Sequence, residues 1–303
     1  MNERNLQLDG QPPFGALRLP SPVESFRSFA NKLKGSAISR RLMSLARRGC
    51  LALSTDPIDV DVFGSCRARL YPRSNRCEKR VFLGVNSWDA EEREYLAADL
   101  RAAPASRPYV FVDGGANVGL YSLFIASEAR RLARPFRILA VEPDPVNLSR
   151  LRFNIAASDA ASEISVAPFA LGGKEDVGRL LSLQSNRGEV RLARAEETAA
   201  EGALEVPIRP LADLFAEADL PHVDVLKLDI EGVEFPVVKA LFASAPDHLW
   251  PRVIILEVGK NNATTEAYSH CIEQGYTQIK RTHLNAILHR QSNRMPQLDE
   301  KNR

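Results

Sequence analysis

From residue 108 onward the chain repeats one pattern: a short apolar run, a turn rich in glycine or acid, then a helical stretch. Tyr109-Val110-Phe111-Val112 is apolar at every position, as a strand covered on both faces must be. Leu120 to Leu132 reads as a helix, Ile138 to Val141 as a strand, Pro145 to Ala156 as a helix, and Ile164 to Pro168 as a third strand. After a polar excursion over 172–204, Val223 to Leu228 reads as the fourth strand. A helix from about Val233 to Ala243 and a fifth strand, Val253 to Leu256, follow it. Thr265 to Gln274 is helical and ended by Gly275, and Tyr276 to His289 supplies two closing strands. Strands alternating with helices imply right-handed crossovers and a parallel sheet. The expected fold is α/β, with a doubly wound, mostly parallel, seven-stranded sheet of Rossmann-like type. Such sheets bind ligands beyond the carboxyl ends of their strands, where the strand order reverses.

The rest of the 303 residues divides as follows. Residues 1–60 are expected to form an arm and a basic amphipathic helix, 61–105 a brace or lid, 106–290 the α/β domain, and 291–303 a polar tail. The first 24 residues are polar, with Pro12, Pro13, Pro20 and Pro22, and read as a loose arm. Between 25 and 49, Phe26, Phe29, Leu33, Ile38, Leu42 and Leu45 recur at near-helical spacing among seven basic residues and no acid, with Gly35 a point where the helix can break. Such a helix either packs on the domain with a solvated basic face, or meets an anionic membrane surface or a protein partner. In 57–105, Ile58 to Val62 alternates like a strand, and Asp89 is placed to cap a helix running through Glu92, Leu96 and Leu100.

A net charge of +2 gives no whole-molecule field for a polyanion, so nucleic acid is not an expected partner. Cys50, Cys66, Cys77 and Cys271 share no metal-ligand spacing and read as free thiols in a reducing compartment. There is no run of 18 apolar residues and no apolar leader, and a cytoplasmic location is the default expectation.

Three blocks carry chemistry, each at a strand end. The first is Asp113-Gly114-Gly115-Ala116-Asn117-Val118-Gly119. A dinucleotide loop wants three glycines in a G-x-G-x-x-G array, with pyrophosphate on the following helix. Here Ala116 takes the middle place, and an acid opens the loop. An acid there repels a pyrophosphate and suits a cationic ligand. S-adenosylmethionine carries both an ammonium and a sulfonium. The second block, Glu142-Pro143-Asp144, ends the next strand with a carboxylate able to accept from a ribose diol. The third is Lys227-Leu228-Asp229-Ile230-Glu231-Gly232-Val233-Glu234. Lys227 lies inside an apolar strand, so it is expected to pair with Asp229 or Glu231 and hold them ionised. Glu234 can instead face solvent at the helix start. Glu257 ends the fifth strand. With Asp229 it would form the ligand pair if magnesium were used, although no metal is needed for the chemistry expected. His289 would be a base only if the last strand returned to the site.

Taken together and in this order, these blocks resemble the FkbM-type methyltransferases over about residues 80–260. The resemblance implies a class I methyltransferase fold that uses S-adenosylmethionine to O-methylate a hydroxyl of a sugar, glycan or secondary metabolite. Carried over, Asp113, Gly114, Gly115, Asn117 and Gly119 hold the methionine part of the cofactor, Glu142 holds the ribose, and Ala170-Leu171 lies by the adenine. Asp229 and Glu231, with Lys227, face the methyl group. The chain departs from that pattern at Val85-Asn86-Ser87-Trp88-Asp89 and at Leu211-Ala212-Asp213, which bear on the acceptor side more than on the cofactor. The expected reaction is an in-line displacement, with Asp229 or Glu231 taking the hydroxyl proton. Two other readings share the fold: a nucleic-acid methyltransferase, and a scaffold that binds the cofactor without turnover.

Overall fold

The computed structural model describes residues 11–32, 37–83, 85–86, 88–183, 186–192, 204–230, 232–258 and 262–291. Two helices, α1 (Ser21–Asn31) and α2 (Ala37–Ala52), precede a hairpin of β1 (Ile58–Val62) and β2 (Cys66–Leu70). The helices α3 (Arg76–Phe82) and α4 (Ala90–Ala102) lead into the domain. There β3 (Tyr109–Gly114), α5 (Leu120–Arg131), β4 (Phe136–Val141), α6 (Pro145–Ala157) and β5 (Ile164–Ala167) form the first half. An excursion of β6 (Ala170–Leu171), β7 (Asp176–Leu183), β8 (Asn186–Leu192) and β9 (Leu204–Arg209) follows. The second half is α7 (Leu211–Glu217), β10 (Val225–Leu228), α8 (Glu234–Ser244), β11 (Val253–Glu257), α9 (Asn262–Glu273), β12 (Tyr276–Arg281) and β13 (Asn285–Arg290).

The main sheet has seven strands in the order β12-β13-β11-β10-β3-β4-β5. The four pairings from β11 across to β5 are parallel, and β13 runs antiparallel to both β11 and β12. This is the seven-stranded, doubly wound arrangement expected of a class I methyltransferase. The chain moves outward from β3 through β4 to β5, then returns to the other side of β3 as β10. The order therefore reverses between β3 and β10, which opens a crevice at their carboxyl ends.

Successive strand residues face opposite layers. Tyr109, Phe111, Ile138, Val225 and Ile255 bury into one core with α4, α5 and the N-terminal elements. Val110, Val112, Leu139, Leu226 and Ile254 bury into the other, with α7, α8 and α9. Lys227 shares the face of Val225, so it emerges on the side of α5.

The N-terminal segment differs from a loose arm. Residues 12–17 are pinned by a buried ion pair, Arg69 to Asp59 at 2.7 Å. Asp59 also accepts from the N–H groups of Gly15 and Leu17, and Arg69 donates to the carbonyls of Pro12 and Pro13. Prolines lack N–H groups but keep their carbonyls, and a buried guanidinium uses several of these at once. The stretch 25–49 contains two helices, and Gly35 falls outside the described residues. A helix packed on the domain through its apolar spacing would bury Phe26, Phe29, Leu42 and Leu45, yet all four are exposed. Ala30, Met43, Ala46 and Cys50 are buried instead, and Arg27 turns inward to Glu24 and the carbonyl of Phe82. Mostly small side chains on the inner face let these helices sit close to the core. The four cysteines are free thiols.

Asp59 and Arg69 are almost fully buried, so breaking the pair strands a charge. Asp59→Ala is expected to cost about 3–5 kcal/mol of stability in urea unfolding. A loss below about 1 kcal/mol would mean that the arm is held by other contacts.

Candidate active site

The crevice above β3, β4 and β10 is a partly open cleft. Asp113, Gly115, Asn117, Glu142, Ala170, Lys227 and Asp229 all line it. These residues come from four separate segments of the sequence, and the strand order is what brings them to one rim.

The loop after β3 is held by two neighbours. The N–H groups of Gly115 and Ala116 donate to the carbonyl of Val141 at 3.0 and 2.9 Å, and the N–H of Asp229 donates to the carbonyl of Gly114 at 3.0 Å. Gly115 has φ +79°, and a Cβ there would lie 2.1 Å from the carbonyl oxygen of Asp229. The missing side chain therefore makes room for the β10 loop. Gly114 and Gly119 do not line the cleft. Gly114 packs against Leu228, and Gly119 starts α5 in a left-handed conformation against Leu151.

Glu142 is buried and accepts from the backbone N–H of Asn117 at 2.7 Å and of Asp144 at 2.9 Å. Burial pushes its carboxyl up to about 7, and these N–H groups partly offset the effect. Asp144 caps α6 through the N–H groups of Val146 and Asn147, which fixes the turn that carries Glu142. Asn117 stands at φ +53° and accepts from the side chain of Asn75, tying the loop to the segment before α3.

Lys227 is buried and donates to Asp229 at 3.0 Å, as its place in an apolar strand required. Burial disfavours its charge, but Asp229 and Asp113 outweigh that, and its pKa is raised. Its Nζ lies 4.7 Å from the centre of the Tyr121 ring. Asp113 is buried, with its carboxyl raised by desolvation. Lys227 and the backbone N–H and hydroxyl of Ser122 act the other way. Asp229 is 42% exposed at its side chain and is the member of this group open to the cleft. Glu231 lies outside the described residues.

Some readings are corrected. Glu234 is fully buried and accepts from the N–H of Gly232, so it shapes the turn before α8 and does not face solvent. Glu257 is buried and is not part of the cleft lining. Among the described residues no three His, Cys, Asp or Glu side chains gather as a metal site, and the magnesium reading for Asp229 and Glu257 gains no support. His289 pairs with Val253 at the start of β11, because β13 runs antiparallel. That puts it at the end of the sheet away from the cleft.

Sequence reasoning missed the wall opposite the β4 loop. Trp88 and Tyr121 have ring centroids 4.9 Å apart, and with Cys77 and Asp89 they line the cleft. Asp89 is placed at the start of α4 but makes no side-chain cap. It sits in the left-handed region at φ +41°. Its carboxylate accepts from the Tyr121 hydroxyl and from Arg80, each at 3.0 Å. The departure at residues 85–89 was the one available signal that this segment reaches the site. Leu180, Arg191 and Leu192 of the excursion cover the cleft from the other side.

Residues 113–289 match the family described as the methyltransferase FkbM domain. The chain belongs to this family. It is 31% identical over 163 residues to methyltransferase sdnD of Sordaria araneosa, covering 45% of this chain and 61% of that protein. It is 25% identical over 160 residues to methyltransferase 1 of Beauveria bassiana, covering 46% and 61%. The chain thus spans about three-fifths of the length of these relatives. A solved FkbM methyltransferase from Methylobacillus flagellatus superposes with a TM-score of 0.39 at 16% identity, covering 88% of this chain and 76% of that one. The family match begins at Asp113, at the carboxyl end of β3, and includes every cleft segment except the Cys77 and Trp88-Asp89 wall.

Gly115→Ala tests the approach of the two loops. Its φ alone costs about 1–2 kcal/mol in a non-glycine residue, and the contact with Asp229 adds to that. A thermal unfolding midpoint unchanged from wild type would show that the loops stand further apart.

Proposed function

We propose that this chain is an S-adenosylmethionine-dependent methyltransferase that methylates a neutral hydroxyl oxygen on a sugar, glycan or secondary metabolite. The observation that carries this reading is the charge pattern of the cleft. Four carboxylates, Asp89, Asp113, Glu142 and Asp229, line it, against two basic side chains, Lys227 and Arg191. Such a rim favours a cationic ligand and disfavours a polyanion, so it speaks against a nucleic-acid substrate.

The residues present fit the cofactor. Glu142 is held rigidly by backbone N–H groups, and an ionised carboxylate has about four acceptor sites, so it keeps capacity for ribose hydroxyls. Asp113, Gly115 and Asn117 would hold the methionine part, and Ala170 would lie against the adenine. When bound, S-adenosylmethionine supplies an electrophilic methyl group on a sulfonium. The protein's own contribution is placement and proton removal. Asp229, open to the cleft, accepts the proton of the acceptor hydroxyl, and Lys227 fixes its orientation. Glu231, two residues on, is the alternative base. Trp88 and Tyr121 form an apolar wall that excludes water beside it. Tyr121 is no base near neutral pH, since burial and the Asp89 and Glu92 charges push its hydroxyl far up.

Two measurements test this reading. In calorimetric titration, S-adenosylmethionine and its demethylated product should bind, and Glu142→Ala should weaken both. Because the ionised carboxylate is the better acceptor and its pKa is raised to about 7, wild-type affinity should rise with pH from 6 to 8. Glu142→Gln should flatten that rise. Absence of binding by folded protein refutes the cofactor assignment. Asp229→Asn should lower the rate of methyl transfer to a panel of hydroxylated acceptors by ~10²–10⁴-fold, with cofactor affinity far less affected. Full activity in that variant would transfer the role of base to Glu231 or to solvent.

A further inference from the structure

The outer surface of α1 and α2 is left unexplained by the fold and by the cleft. Eleven large apolar side chains are exposed among the described residues, and five of them fall within residues 26–53. Phe29 and Leu45 are each 63% exposed and Leu53 is 69% exposed, with Phe26 and Leu42 beside them in sequence. Both helices bury their opposite sides, through Ala30, Met43, Ala46 and Cys50, in the same core. The two helices also pack against each other, so their outer sides adjoin. Lys32, Arg41 and Arg48 are exposed on these helices, and residues 25–55 contain no Asp or Glu.

We propose that this face docks on an anionic lipid surface. Glu24, the acid that α1 carries, is paired with Arg27, so large apolar side chains flanked by unpaired Arg and Lys are left among the described residues, as a helix lying in the membrane interface requires. The rings and leucines enter the acyl boundary while the cations meet headgroup phosphates. A second copy of the chain fits the same face poorly. A symmetric contact sets each patch against its own kind, and here that brings two basic patches together. No described helix is long and apolar enough to cross a membrane, so the contact is a surface one. The docking helices are also tied to the cleft wall. Arg27 and Arg47 donate to the carbonyls of Phe82 and Leu83 at the end of α3, the helix that carries Cys77 into the cleft. A protein docked this way holds its cleft in a fixed relation to the lipid surface.

The test is co-sedimentation of the full chain with phosphatidylcholine vesicles, with or without phosphatidylserine, at low and high salt. Wild type should sediment with the anionic vesicles only, and less so at high salt. Phe29→Ser with Leu45→Ser should abolish sedimentation. Arg41→Gln and Arg48→Gln should each lower the partition coefficient about fivefold, the equivalent of ~1 kcal/mol per charge near an anionic surface. These side chains point outward, so unfolding midpoint and cofactor affinity should match wild type. The salt dependence of wild type serves as a second reading if a variant fails to fold. Failure of wild type to bind phosphatidylserine vesicles, or equal binding to both kinds, overturns the proposal. So does a stable dimer on gel filtration that the serine variants dissolve, which would assign the face to a second protein surface.

Discussion

A buried ammonium organises the cleft. Lys227 stands in the central strand of the sheet, where a lone charge is costly to keep out of water, and two carboxylates and an aromatic ring surround it. Each of these neighbours comes from a different element: Asp113 from β3, Asp229 from the loop after β10, and Tyr121 from α5. Satisfying one cation therefore brings three segments to fixed positions. Tyr121 extends the set by donating to Asp89, which also receives Arg80. The chain of polar contacts thus runs from the sheet out to the elements that precede the family domain. The brace belongs to the site through electrostatics as well as through packing.

The central strands were legible because they are buried on both faces, which forces unbroken apolar runs. β3, β4 and β11 lie within two residues of where those runs put them. The acids of the rim were legible for a related reason: an apolar strand followed at once by a carboxylate marks the carboxyl edge of a parallel sheet. What failed were inferences that needed a partner distant in sequence. Asp89 has the position of a helix cap, but Arg80 and Tyr121 draw its carboxylate elsewhere. The proline-rich arm has no periodicity, yet its carbonyls serve a buried arginine more than fifty residues away. His289 could be placed only once β13 was known to run antiparallel.

The N-terminal helices teach a separate lesson about amphipathic patterns. Apolar spacing identifies a stripe but does not say which way it faces. On α1 and α2 the inner stripe is built largely of small residues, and Arg27 is buried because the carbonyl of Phe82 and the carboxylate of Glu24 accept its hydrogen bonds. The larger apolar residues are left outside. Burial here follows room and hydrogen-bond supply more closely than hydrophobicity.

The approach of Gly115 to Asp229 has a consequence for how the chain can change over time. The two residues are 114 positions apart, yet the absent side chain of one is filled by the backbone of the other. An insertion, a bulkier residue or a shifted turn in either loop displaces its counterpart. The glycine loop and the acidic loop are thus sterically coupled. Grafting one of them from a distant relative calls for the other from the same source.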